Sequence, residues 1–134
     1  MADRFLCAHR GRVEPGRRLG RLLGMPTANL PLGRDASLPF GTFAAVVEGL
    51  GRAHRAVVHV GVRPSVVSRG EPILEAHLLD FDGDLYGREL VVRLEHGVAG
   101  EERVGSLDAL VRKIADDVAS VRAYFARGWP TPRN

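Results

Sequence analysis

The chain has 134 residues, 45% hydrophobic and 26% charged, which suits one folded soluble domain and excludes a disordered or fibrous chain. Its net charge is +3 and its basic residues are almost all arginine; with no basic helix or basic-aromatic stripe this is weak evidence for nucleic acid binding, and attraction for an anionic small molecule explains it equally well. No apolar run is long enough to span a membrane, Met1-Ala2-Asp3-Arg4 lacks a signal-peptide layout, and the single cysteine, Cys7, has no internal disulfide partner, so a cytoplasmic monomer is expected.

The first expected strand is the apolar run Phe5 to Ala8. Gly11 to Gly16 then leads into a glycine-spaced basic loop, Gly16-Arg17-Arg18-Leu19-Gly20-Arg21-Leu22-Leu23-Gly24. Glycines allow close backbone approach to a ligand, and arginine forks suit phosphate. The loop ends in Met25-Pro26-Thr27-Ala28-Asn29-Leu30, read as a rigid turn in which Pro26 fixes φ ahead of a hydroxyl and an amide. Thr27 and Asn29 offer hard oxygens of the kind magnesium accepts. A solvated Gly/Arg/Pro loop is the plainer reading of the same residues. A P-loop is excluded because no Gly-Lys-Ser/Thr follows, and the glycine spacing does not fit a dinucleotide fingerprint.

Thr42 to Glu48 and Arg55 to Val60 are rich in β-branched residues and read as a hairpin through Gly49-Leu50-Gly51. Gly61-Val62-Arg63-Pro64-Ser65 breaks the pattern. Ile73 to Phe81 resumes it, with Ile73, Glu75, His77 and Leu79 on one face. Asp82-Gly83-Asp84 is a turn, and Arg88 to Glu95 is a further strand. From Ser106 the period changes. Leu107, Leu110, Val111, Ile114, Val118, Val121 and Phe125 recur at helical spacing, with Ser106 as N-cap, Asp108 in the first turn, and Gly128 and Pro130 as terminators. The expected architecture is an all-β closed antiparallel barrel over about residues 3–96. A C-terminal helix over about 106–126 packs across it, within a single domain spanning 1–134.

Glu75 lies mid-strand between apolar neighbours. A carboxylate there is either at a barrel mouth or buried, and partial burial would suit it to general-base work; the plainer alternative is an exposed glutamate on the solvent face of a strand. His77 shares its face and reads more simply as a hydrogen-bonded structural residue. The histidines and Cys7 lack zinc spacing, and Asp80, Asp82 and Asp84 do not form a calcium loop. No nucleophile elbow is present. Backbone N–H groups at Gly105-Ser106-Leu107 could meet an anion.

Together these segments resemble one family, the riboflavin kinases. Gly11 to Arg21 matches Gly-x-Val-x-x-Gly-x-x-x-Gly-Arg, and Gly24 to Leu30 is similar to Gly-Phe-Pro-Thr-Ala-Asn-Leu. Glu75 to Gly87 matches Glu-x-His-x-x-Asp-Phe-x-x-Asp-Leu-Tyr-Gly. His59 to Ser65 resembles Asn-Ile-Gly-x-Arg-Pro-Thr, and Ser106 to Leu110 matches a Ser-Leu-x-Ala-Leu helix start. The resemblance implies a six-stranded antiparallel barrel with a C-terminal helix. It also implies transfer of the ATP γ-phosphoryl group to the ribityl 5′-hydroxyl of riboflavin, giving FMN and ADP. Thr27 and Asn29 would hold Mg2+. Gly16, Gly20, Arg21, Gly24 and Pro26 would line the phosphates, Tyr86 would lie near the nucleotide, and Glu75 would take the hydroxyl proton. The implied partners are ATP and riboflavin or FMN, with no nucleic acid and no membrane.

The sequence departs from the family between Val98 and Val104. Ala99 stands where the pattern has arginine, and Val104 where it has an aromatic residue. Glu101, Glu102 and Val104 are the candidate acceptor contacts there. The change leaves two other readings open: a kinase for a different alcohol, or a flavin- or nucleotide-binding regulator without catalysis.

Overall fold

The computed structural model of the protein describes residues 7–14, 26–32, 38–63, 71–100 and 105–127. Six strands precede one helix: β1 (Cys7–Arg12), β2 (Thr27–Pro31), β3 (Gly41–Glu48), β4 (His54–Arg63), β5 (Glu71–Leu78), β6 (Glu89–Ala99) and α1 (Leu107–Ala126). All described pairings are antiparallel, in the order β1-β6-β3-β4-β5-β2. The hairpin expected between β3 and β4 is present. Gly49 makes it possible: its φ is +118°, and a Cβ there would lie 2.6 Å from the Glu89 carbonyl oxygen.

Alternation sorts the strands into two faces. Phe43, Ala45 and Val47 of β3, Ala56, Val58 and Val60 of β4, and Leu74, Ala76 and Leu78 of β5 point into one apolar core. Ala28 and Leu30 of β2 and Leu90, Val92 and Leu94 of β6 complete it. The opposite face divides in two. Ala44, Val46, Val57 and Leu79 pack under Val121 and Phe125 of α1. Beyond that apolar seat the same face turns polar, and the candidate site lies there. Two register shifts between β3 and β6, at Thr42/Phe43 and Ala44/Ala45, bend the sheet and bring Ala99 opposite Thr42.

The sheet is an open half-barrel, not the closed barrel expected from the sequence. Among the described residues, the two edges of the sheet are joined by one isolated β-bridge just beyond β1, where the Glu14 N–H donates to the Asn29 carbonyl at 2.8 Å. Val13 is already committed to the other neighbour, donating to Arg88 O at 2.9 Å and accepting from Gly87 N at 3.1 Å. Continuing the Glu14–Asn29 register would set Arg12 opposite Pro31, which has no N–H to give. The His9 ring hydrogen-bonds the Pro31 backbone instead. Leu30 fills the space beside Gly11, where a Cβ would meet its Cδ2 at 3.0 Å.

Several boundaries also differ from expectation. Thr27–Pro31 is a strand rather than a turn, because its residues pair one for one with Ile73 to His77 of β5. β1 runs on through Arg12, and β4 runs on through Arg63. The helix starts as expected: Ser106 Oγ accepts from the Ala109 N–H at 3.1 Å, and Asp108 stands in the first turn. It ends at Ala126, with Arg127 N–H donating back to Tyr124 O. Gly128 and Pro130 lie outside the described residues. At its C-terminal half a two-pronged pair joins Arg122 to Asp80, both contacts at 3.2 Å, in the turn after β5.

Candidate active site

The polar part of the helix-side face is a row of side chains crossing four strands. The registers set Asn29 of β2 opposite Glu75 of β5, Glu75 opposite His59 of β4, and His59 opposite Thr42 of β3. One step along, Thr27 stands opposite His77. Side chains directly opposite on neighbouring strands are close enough to interact, so the row is physically continuous. It is also largely withdrawn from water: Asn29, Thr42, Glu75 and His77 are all buried.

Glu75 and His77 share the face expected for them, and Glu75 is buried rather than solvent-facing. Thr27 and Asn29 come to the same face, two residues apart on the adjoining strand. Pro26 extends that pairing by one rung, its carbonyl accepting from Leu78 N at 3.1 Å. Tyr86 is more distant. It stands exposed in the turn before β6, its N–H donating to Asp84 Oδ1 at 3.0 Å. That turn is held to the seam rather than to the Glu75 row, through Gly87 and Val13. Gly16, Gly20, Arg21 and Gly24 lie outside the described residues, as do Glu101, Glu102 and Val104.

The two inner histidines are held uncharged. Burial, with a smaller contribution from the Lys113 ammonium, brings His59 down to about 4. Burial, with a smaller contribution from His59, brings His77 down to about 3. Their rings meet edge to face with centroids 5.2 Å apart. His77 Nδ1 lies 3.2 Å from Thr27 Oγ1, and its Nε2 lies 3.7 Å from Glu75 Oε1. The tautomer serving both neighbours has the Thr27 hydroxyl donating to Nδ1 and Nε2–H facing the carboxylate. That arrangement leaves the lone pairs of Thr27 Oγ1 for a cation. The donor set thus fits a magnesium ion that takes most of its shell from a bound phosphate. Among the described residues no cluster of three or more His, Cys, Asp or Glu side chains is gathered to hold a metal by itself.

Thr27→Val tests this bond in the free protein. It leaves the buried His77 Nδ1 without a partner. The expected loss is about 1–3 kcal/mol in urea unfolding, with Thr27→Ser restoring most of it.

Four residues were not singled out from the sequence as site residues: Thr42, His59, Lys113 and Asp117. Asp117 did carry a signal, since it falls on the buried stripe of α1 between Ile114 and Val121 and is itself buried. A charge at such a position demands a partner. That partner is Lys113, whose Nζ lies 2.7 Å from Asp117 Oδ2. Thr42 and His59 become visible only once the β3–β4 register is known.

Residues 5–125 match the family model Flavokinase, riboflavin kinase. The chain is 44% identical over 116 residues to the bifunctional riboflavin kinase/FMN adenylyltransferase of Pseudomonas fluorescens, covering 87% of this chain and 37% of that protein. It therefore spans little more than a third of that relative. Among solved structures, a macrolide-efflux protein from Streptococcus pneumoniae superposes with a TM-score of 0.72 at 30% identity, over 86% of this chain and 38% of that one. The riboflavin kinase of Trypanosoma brucei superposes with a TM-score of 0.58 at 21% identity, over 89% and 79%. The latter likeness is one of fold. No helix among the described residues is long and apolar enough to cross a membrane.

Proposed function

The chain belongs to the riboflavin kinase family, and on that premise we propose that it phosphorylates riboflavin at the ribityl 5′-hydroxyl, using ATP with Mg2+, to give FMN and ADP. The observation that carries the proposal is the pairing of Asn29 with Glu75 across β2 and β5, with Thr27 on the same face. This sets two neutral hard oxygens beside a single buried carboxylate. Phosphoryl transfer asks a protein for little more: a place for the phosphates and their cation, and a group to orient the attacking hydroxyl.

In this reading Thr27 and Asn29 hold the magnesium-bound phosphate end of the nucleotide. The cation would neutralise charge on the transferring group. Gly16, Gly20, Arg21 and Gly24 are proposed to cover the phosphates, and Tyr86 to flank the nucleotide. Glu75 accepts the proton of the 5′-hydroxyl as its oxygen bonds to the γ-phosphorus and the bond to the ADP oxygen breaks. His77 bridges the two halves, ordering Thr27 with one nitrogen and facing Glu75 with the other. Glu101, Glu102 and Val104 are proposed to contact the acceptor.

The purified chain incubated with riboflavin, ATP and MgCl2 is expected to release FMN and ADP in equal amounts, separable by chromatography. The product must require a divalent cation. No FMN with magnesium, manganese or zinc, from protein verified as folded, would contradict the proposal.

A further inference from the structure

Helix α1 brings an ion pair to the far end of the polar row. Lys113 and Asp117 lie one turn apart, their side chains 12% and 9% exposed. The ammonium of Lys113, the only lysine in the chain, reaches both Asp117 Oδ2 at 2.7 Å and Thr42 Oγ1 at 3.4 Å. His59 addresses the same two oxygens. Its Nδ1 lies 2.9 Å from Thr42 Oγ1, and its Nε2 lies 4.0 Å from Asp117 Oδ2. The cation and the imidazole therefore contend for the same acceptors.

Hydrogen-bond inventory decides how they share them. An ammonium can only donate, so Thr42 Oγ1 accepts from Lys113; the hydroxyl keeps a second lone pair, and the arrangement that also turns an N–H toward Asp117 has Thr42 giving its proton to His59 Nδ1. His59 then carries its proton on Nε2, the nitrogen directed at Asp117. With Lys113 in place, Asp117 is already neutralised and has no need of a second cation. Without it, a buried carboxylate would stand unpaired beside an imidazole able to take a proton. Among the described residues, the titratable and polar groups facing His59 are Thr42 from β3, Glu75 and His77 from β5, and Lys113 and Asp117 from α1.

We propose that Lys113 is a positioning residue for the candidate kinase site: by holding Asp117 and Thr42 it adds to burial in keeping His59 neutral, in the Nε2–H form, directly across from Glu75. The consequence falls on Glu75. A protonated His59 on the adjoining strand would stabilise the carboxylate and make it a poorer proton acceptor. A neutral His59 leaves the carboxylate free to take the proton. Lys113 thereby tunes the base from the far end of the row, on the same face of the sheet.

The test has two arms. Only the kinetic arm rests on the kinase reading; the other reads the free protein. Imidazole nitrogen NMR of 15N-histidine-labelled protein, with His59 assigned by its loss in His59→Asn, should show the neutral Nε2–H tautomer at about pH 6. In Lys113→Met the His59 signal should become that of the imidazolium at the same pH, and Lys113→Met/Asp117→Asn should return it to neutral. In the kinetic arm, Lys113→Met should lower kcat by roughly 5- to 10-fold with the KM for ATP within about twofold. Lys113→Arg and the double variant should recover most of the rate. A wild-type His59 that is protonated or in the Nδ1–H form overturns the proposal without any variant having to fold. So does a His59 signal that Lys113→Met leaves unmoved, or a Lys113→Met enzyme with unchanged kcat.

Discussion

Glu75→Gln is expected to lower kcat by roughly 100-fold or more while leaving the KM for ATP nearly unchanged. Glutamine keeps the size of the side chain and can hold the same neighbours, but it cannot accept the hydroxyl proton. The nucleotide, by contrast, is assigned to Thr27, Asn29 and the preceding loop, none of which the substitution alters. Stability should not fall with activity, because a buried carboxylate is costly to keep and its neutral isostere is not. Glu75→Asp retains the charge but withdraws it by one methylene, and should give an intermediate rate. Steady-state kinetics with riboflavin and ATP measures all three enzymes. Near-normal turnover in Glu75→Gln would remove Glu75 from the role of base.

The second large effect is on the stability of the fold in acid. His59 and His77 are held down to about 4 and about 3 in the folded protein. In the unfolded chain an imidazole titrates near its ordinary value, about 6.5. Above that value neither state binds the proton, and the two residues impose no pH dependence. Below it the unfolded chain protonates first and is favoured. The loss grows down to about pH 4 for His59 and about pH 3 for His77. By pH 5 it amounts to roughly 2 kcal/mol per histidine. Urea midpoints should therefore fall steeply between pH 7 and pH 5, and His59→Asn should remove roughly 2 kcal/mol of the loss at pH 5. An equally steep fall in that variant would mean that other groups carry the acid sensitivity.

Much of this arrangement is written in local pattern. The period-2 alternation through Ile73, Glu75, His77 and Leu79 places a carboxylate and an imidazole on one face, and they share that face. The three- and four-residue steps from Leu107 to Phe125 define a helix, and Ser106 caps it. Closure of the sheet was not legible, because it depends on whether the two outer strands find each other. That outcome turned on Pro31 lacking an N–H and on His9 taking up the Pro31 backbone. Pro26 to Asn29 looked like a turn for a related reason. Proline and asparagine favour turns locally, but one-for-one pairing with β5 outweighs that preference. The row from Asn29 to Thr42 was legible only in part: Asn29 and Glu75 stood out in the sequence, but His59 and Thr42 join them only through the register of four strands. The partnership of Lys113 with Asp117 follows from helix spacing, but its meeting with His59 and Thr42 needs the tertiary fold.

A crystal structure of the protein with FMN, ADP and magnesium bound should show the phosphates and the cation against Thr27 and Asn29. The oxygen that joins the ribityl chain to the phosphate should lie within hydrogen-bond reach of the Glu75 carboxylate, about 2.6–3.2 Å. Ligands seated away from the polar face beside α1, or a Glu75 side chain turned from the ribityl oxygen, would contradict the proposed function.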